Sequence, residues 1–295
     1  PTYAERLGWP AGARVVIFHV DDAGMSHESN VGVIESMTNG VANSASIMMP
    51  CAWVSEYAQH LEKNPQTDAG IHLTLTSEWE GYRWPPVAGK TFVPTATDPQ
   101  GCLWDSVELV AQNATADDVE REIRAQIDRA EVMGIKYTHL DSHMGTLFHP
   151  KFFERYLKVG IEKKTPILIA GGHLTHILQE NADVAEPIRA AAEQVWNAGL
   201  PVLDDIHTGT YGAREFDAKK AMLLDVLKNL NPGVTEIIVH CTKTGNTFAS
   251  ISTSGPTREA DLQCMLDADI KKALQDEKIE LTTWRDLMDR RQKAK

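Results

Sequence analysis

Val15-Val16-Ile17-Phe18-His19-Val20-Asp21-Asp22-Ala23-Gly24 is the stretch that decides how this chain is read. A run of apolar, mostly β-branched residues ends in two adjacent carboxylates and breaks at a glycine. Two like charges side by side repel, and each prefers water to a buried strand. At the carboxyl end of a buried parallel strand, where α/β active sites are built, such a pair makes sense if a cation or a proton gives its members different roles. The plainer alternative is a solvated loop in which Asp22 caps the next helix.

Short apolar runs and amphipathic stretches alternate along the rest of the chain. Residues 14–20 read as the first strand, and Ser26 caps a helix that Asn39-Gly40 ends. Further strands are expected over residues 45–49, 69–73, 137–141, 166–169, 201–203, 235–240 and 279–282. Helices are expected over 53–63, 117–133, 151–159, 185–198, 217–230, 259–275 and 284–291, with Thr115 and Gly134 bounding the second of these. Strand–helix alternation of this kind means a parallel sheet with helices outside it. No linker or change of composition divides the chain, so residues 1–295 read as a single domain. The expected fold is α/β, a single TIM-like (β/α) barrel of seven or eight strands. The stretch 75–115, rich in Pro, Gly and Trp, reads as an insertion of little regular structure lying over the site.

Bulk composition narrows the function. The chain has 295 residues, 42% apolar and 24% charged, with a net charge of −12. This acidity and the lack of a basic stripe argue against a nucleic-acid partner. No run of about 18 apolar residues is present, which argues against a membrane-spanning helix. Cys51, Cys102, Cys241 and Cys264 lie far apart without a CxxC pair, so a thiolate zinc site is not expected, although one disulfide stays open. Neither G-x-x-x-x-G-K-[ST], G-x-G-x-x-G nor G-x-S-x-G occurs, which argues against nucleotide use and a serine hydrolase. Pro1 in place of an initiator methionine is compatible with a removed leader or tag, so the compartment stays open, as does assembly into a homo-oligomer.

Polar residues gather where strands end: Asp21-Asp22, His72, His139-Leu140-Asp141-Ser142-His143 and His240. A lone histidine on such a strand is usually a satisfied core residue. Four strand ends of this type converge on one face of a barrel. One carboxylate and two imidazoles make an open site for a divalent ion, with places left for water and substrate. Water bound to such an ion loses its proton far more easily than bulk water. A neighbouring carboxylate then serves as general base and a further histidine as general acid. Asp21, Asp22, His72, His143 and His240 supply that set, and Asp141 could orient a histidine through its second nitrogen.

These segments resemble those of the YdjC/ChbG carbohydrate deacetylases, relatives of the polysaccharide deacetylases. The similarity runs through Asp21-Asp22-Ala23-Gly24, Gly70-Ile71-His72-Leu73-Thr74-Leu75, Thr138-His139-Leu140-Asp141-Ser142-His143 and Glu236-Ile237-Ile238-Val239-His240. The resemblance implies a distorted (β/α) barrel and metal-dependent removal of acetyl from a small N-acetylated saccharide. It implies Asp22, His72 and His143 as ligands of one divalent ion, zinc or magnesium. Asp21 is then the base and His240 the acid that protonates the departing amine. The chain departs from the family pattern at Ala23, where phenylalanine is usual. It departs again at Met144-Gly145-Thr146-Leu147-Phe148, where more histidines are usual, and at Cys241-Thr242, where Pro-Gly is usual. These departures alter the pocket walls rather than the ligand set.

Trp79 and Trp84 in the insertion are candidate stacking surfaces for a sugar, or else a plug that anchors the loop. Asp205 and His207, after the strand at 201–203, are candidate substrate contacts by the same strand-end logic. Two rival readings remain. One is another barrel metallohydrolase acting on a phosphoester or cyclic amide, which the surplus His139 and His149 keep open. The other is a non-catalytic sugar-binding protein, favoured if Asp21 and His240 point away from the ligand set.

Overall fold

The computed structural model describes residues 1–180 and 182–294. Among the described residues, seven strands form one parallel sheet: β1 (Arg14–Ala23), β2 (Ser44–Ile47), β3 (Ala69–Leu73), β4 (Leu140–Ser142), β5 (Asp205–His207), β6 (Gly233–Val239) and β7 (Ile279–Leu281). Their order is β4-β3-β2-β1-β6-β5, with β7 paired to β1. β1 is the hub. One edge pairs with β6 from Arg14 to Val20, and the other pairs first with β7 over Arg14–Val16 and then with β2 over His19–Ala23. A strand flanked on both edges and both faces reads as a near-continuous apolar run, which Val15, Val16, Ile17, Phe18 and Val20 supply.

The ring closes through isolated bridges. Leu140 of β4 bridges Ile167, and Ala170 bridges Leu203, just ahead of β5. Backbone hydrogen bonds carry the closure: Leu168 N to Leu140 O at 2.9 Å, Gly171 N to Leu203 O at 2.9 Å and Asp204 N to Val234 O at 2.8 Å. The strands expected over 166–169 and 201–203 therefore exist only as single bridges. This is the distortion of an otherwise regular (β/α) barrel.

Most helices match the sequence pattern. Ser26 and Thr115 cap the helices His27–Asn39 and Ala116–Val132 by accepting from Ser29 N and Asp118 N. Val119, Ile123, Ile127 and Ala130 form the buried stripe of the second. The helix expected over 259–275 is instead two, Gly255–Leu266 and Ala268–Asp276. Asp267 ends the first and caps the second by accepting from Asp269 N and Ile270 N, an alternative that a short carboxylate offers the backbone. The helix Thr175–Glu180 has no counterpart among the expected elements.

The insertion holds a three-residue 3-10 turn, Pro94–Ala96, and a helix, Val107–Asn113, that its composition hid. It has its own small apolar cluster, in which Trp84 and Leu103 pack on Met25, Met48, Cys51 and Phe248. The main core runs from Tyr3 to Leu287 and fills the space between sheet and helices. All four cysteines are free. No helix of the described residues is long and apolar enough to cross a membrane.

Candidate metal centre

The aspartate pair sits on a break in β1. The register with β2 shifts between Val20 and Ala23, and Asp22 has a φ of 70°. In a regular strand, neighbouring side chains point to opposite faces. A bulge with one left-handed residue turns both carboxylates toward the barrel mouth. His72 comes from β3, whose pleat faces Gly70 and His72 the same way. His143 begins a 3-10 turn directly after β4, with φ of 51° at Met144 and 64° at Gly145.

Asp22, His72 and His143 meet in a triangle. Asp22 Oδ1 lies 3.4 Å from His72 Nε2 and 3.3 Å from His143 Nδ1, and the two nitrogens are 3.3 Å apart. Asp22 Oδ1 is buried without a hydrogen-bond partner. Ligands about 2.1 Å from a tetrahedral ion stand about 3.4 Å from one another, so these three atoms fit one divalent ion. The local field agrees. Burial opposes an imidazolium at His72, but Asp21 and Asp141 outweigh it and lift the pKa well above its ordinary value. Burial opposes charge on His143 as well, yet Glu78 and Asp22 raise its pKa to about 9. The surroundings favour positive charge within the triangle.

Each triangle residue has an ionic partner behind it. His72 Nδ1 meets Asp141 Oδ1 at 2.7 Å, and His143 Nε2 meets Glu78 Oε1 at 2.8 Å. Arg258 Nη1 donates to Asp22 Oδ2 at 2.6 Å. Such partners fix which ring nitrogen faces an ion and how the ring is turned. Other histidines stand close to the centre, and His19, His139 and Asp141 form a second buried group with ligand atoms within 4.8 Å of one another. His19 Nε2 lies 3.0 Å from Asp141 Oδ2 and 3.3 Å from Asp21 Oδ1. His139 stacks on Trp284 at 5.1 Å and fills the space left by Gly70, where a Cβ would stand 2.5 Å from its ring. His149 caps the helix Pro150–Lys163 by accepting from Lys151 N.

The two neighbouring aspartates are electrostatically unlike. For Asp22, burial is overcome by Arg258, His143 and His72, which hold its carboxyl well below the usual range. For Asp21, burial prevails over the lowering effect of His72, with Asp141 adding to it, and its pKa is pushed up to about 6. Two carboxylates pushed apart in this way divide into a permanent anion and a proton acceptor. Asp21 Oδ2 lies 3.6 Å from His72 Nε2 and 3.6 Å from His240 Nε2. His240, one residue past β6, is held by its backbone N–H on Asp261 Oδ2 at 2.8 Å and by an edge-on contact with Tyr211 at 4.7 Å. Burial keeps it neutral, with its pKa well below the ordinary value.

Asp21, Asp22, His72, His143 and His240 all line one cleft of about 510 Å³. A model of the family described as YdjC-like protein matches residues 15–276. The chain belongs to the YdjC-like family. Over 271 residues, 92% of this chain and 98% of the relative, it is 27% identical to a carbohydrate deacetylase of Thermoanaerobacter pseudethanolicus. It is 37% identical to a carbohydrate deacetylase of Thermus thermophilus over 155 residues, 52% of this chain and 53% of that protein. It is 29% identical to a chitooligosaccharide deacetylase of Yersinia enterocolitica over 157 residues, 53% of this chain and 59% of that protein. Among solved structures, one from Enterococcus faecalis, named there for cellobiose-phosphate cleavage, superposes with a TM-score of 0.77. It has 21% identity and covers 93% of this chain and 99% of its own, a likeness of fold.

The remaining candidates of this YdjC-like chain separate. Trp79 lines the cleft beside Met144, Phe148 and Tyr211. Trp84 does not. It is 2% exposed, and its Nε1 donates to Thr76 O at 2.9 Å, so it anchors the insertion. Asp205 is buried and accepts from His176 N at 2.8 Å, at the start of the helix Thr175–Glu180. His207 packs on His176 with ring centres 4.5 Å apart. Neither is part of the cleft lining. Sequence reasoning missed Glu78 and Arg258, both in the lining. Glu78 stands just before the singled-out Trp79, and a carboxylate so close after β3 was a usable signal. Arg258 offered none, since an arginine on a helix ordinarily faces solvent.

Proposed function

We propose that this YdjC-like chain is a metal-dependent carbohydrate deacetylase that removes acetyl from a small N-acetylated saccharide. The observation that carries the reading is the Asp22–His72–His143 triangle with Asp21 beside it, one carboxyl poised to take a proton next to one that stays charged. Relatives named as carbohydrate deacetylases over nearly the whole chain support the same reaction.

Asp22 Oδ1, His72 Nε2 and His143 Nδ1 are the atoms that would hold the ion. A carboxylate with two imidazoles suits a divalent ion such as zinc, and edges of 3.3–3.4 Å leave room for one. A divalent ion there supplies Lewis acidity to the acetyl carbonyl and makes water acidic enough to attack near neutral pH. Asp21 accepts the proton of the attacking water. His240 Nε2, 3.6 Å from Asp21 Oδ2, is placed to receive that proton and pass it to the leaving nitrogen. A histidine whose pKa is depressed gives up a proton readily once it has one, which suits an acid for the departing amine. The amide C–N bond breaks, and acetate and the free amine leave. Trp79 offers a stacking face for the sugar ring at the cleft. The chain works as one catalytic domain with the stretch 75–115 inserted beside the site.

Asp21 and His240 share a cleft with the triangle, which favours catalysis over a sugar-binding role without chemistry. Acetate release from a panel of N-acetylated mono- and oligosaccharides, with and without a chelator, tests the proposal. Release that a chelator abolishes and zinc restores is expected. Release unaffected by complete metal removal, or none from any acetylated sugar, overturns it.

A further inference from the structure

His72 and His143 are held in different ways. His72 belongs to β3, and its Nδ1 contacts both Asp141 Oδ1 at 2.7 Å and Ser46 Oγ at 3.1 Å, groups of the sheet itself. His143 stands outside the strands, at the head of a turn containing two left-handed residues. The partner of its Nε2 is Glu78, which belongs to the insertion rather than to any barrel strand.

We propose that Glu78 is a positioning residue that sets how tightly the centre holds its ion, making ion binding and the seating of the segment 76–106 depend on each other. The inference rests on the metal-centre reading above. A histidine whose Nε2–H donates to Glu78 Oε1 leaves the Nδ1 lone pair toward Asp22 and His72. Without that acceptor, the proton is free to sit on Nδ1, the atom that faces the ion, and the buried Nε2 loses its partner.

Glu78 reaches His143 from the inserted segment 76–106. That segment is joined to the rest of the protein by Tyr82 Oη to Met25 O at 2.5 Å, Val87 N to Glu122 Oε1 at 2.8 Å and Thr95 N to Asp118 Oδ2 at 2.9 Å, and is held together internally by Ser77 N to Trp104 O at 2.7 Å and Trp84 Nε1 to Thr76 O at 2.9 Å. An ion that orders His143 therefore also favours the seated segment, and by linkage the seated segment favours the ion.

The test measures zinc affinity by competition with a chromophoric chelator for the wild type, Glu78→Ala, Glu78→Gln and the control Glu80→Gln, an exposed neighbour. Glu80→Gln should match the wild type, and Glu78→Ala should bind about 10- to 100-fold more weakly. Glu78→Gln, which keeps the size and an acceptor oxygen, should fall between. Limited proteolysis gives a second readout that a merely structural role would not move: zinc should slow cleavage within 76–106 of the wild type but not of Glu78→Ala. A Glu78→Ala variant that binds zinc as tightly as the wild type overturns the proposal and leaves the metal centre standing. A wild type that binds no zinc overturns both.

Discussion

Arg258 donates to Asp22 Oδ2 at 2.6 Å, tying the helix Gly255–Leu266 to the end of β1 across 236 positions of sequence. Both side chains are buried, so neither charge is answered by water. Removing one member of a buried pair leaves the other uncompensated, at a cost of about 3–5 kcal/mol. Arg258→Met should therefore lower the unfolding free energy of the metal-free protein by about that much. In an Asp22→Asn background the same substitution should cost clearly less. Denaturant titrations of the four proteins of this cycle measure the difference, and equal costs in both backgrounds would show that the pair is not coupled.

Asp21 provides a prediction with a sign. Its carboxyl, pushed up to about 6 by burial, should titrate near pH 6 in the metal-free protein. A cation in the triangle stabilises the carboxylate, so adding zinc should move the titration to lower pH. Carbon-detected NMR of the carboxyl, with and without zinc, follows both. An unchanged or upward midpoint on zinc addition would place Asp21 away from the ion.

Loss of that same carboxylate should separate chemistry from binding. Asp21→Asn should lower kcat by about 10²–10⁴-fold, the range of a missing general base, while metal content holds. His72→Ala and His143→Ala should instead lose the ion itself. Metal analysis of the purified variants beside acetate-release rates checks this, and an Asp21→Asn protein without metal would put Asp21 among the ligands.

Glu122 should make stability depend on pH. It is fully buried, accepting from Val87 N at 2.8 Å and Ala88 N at 2.9 Å, and burial raises its pKa to about 7 against those donors. A carboxyl raised in the folded state keeps its proton where the unfolded chain has lost it. Stability from this group is thus complete below pH about 4.5 and is lost as pH rises toward 7, by about 3 kcal/mol. Glu122→Gln should flatten that part of the profile. Unfolding free energies at pH 5 and pH 8 for both proteins decide it, and parallel profiles would rule Glu122 out.

Much of the site was legible in the order of residues because strand ends carry their own signature. Asp21-Asp22, His72 and His240 lie in or just beyond apolar runs, His143 follows the short strand β4, and a parallel barrel must bring such ends to one face. The short strands were less legible. At residues 166–170 and 201–203 the apolar run is real, but only single bridges form where the barrel is distorted. The break at Asp267 was masked by a continuous helical pattern on both sides. Trp84 and Trp79 looked alike as aromatics of one loop, and packing buried the first inside a small core and left the second against that core, lining the cleft.

Sequence by itself determined the alternating parallel architecture, the aspartate pair at the end of β1 and the histidines on the neighbouring strands. These follow from local patterning, hydrophobic periodicity and the chemistry of individual side chains. Only the tertiary structure decided that Asp22 stays charged while Asp21 holds its proton to about pH 6, and that Glu78 and Arg258 stand behind His143 and Asp22. Those outcomes depend on burial and on charges brought together from distant parts of the chain. Electrostatic energy follows distance in space and access to water, and neither is written in the linear chain.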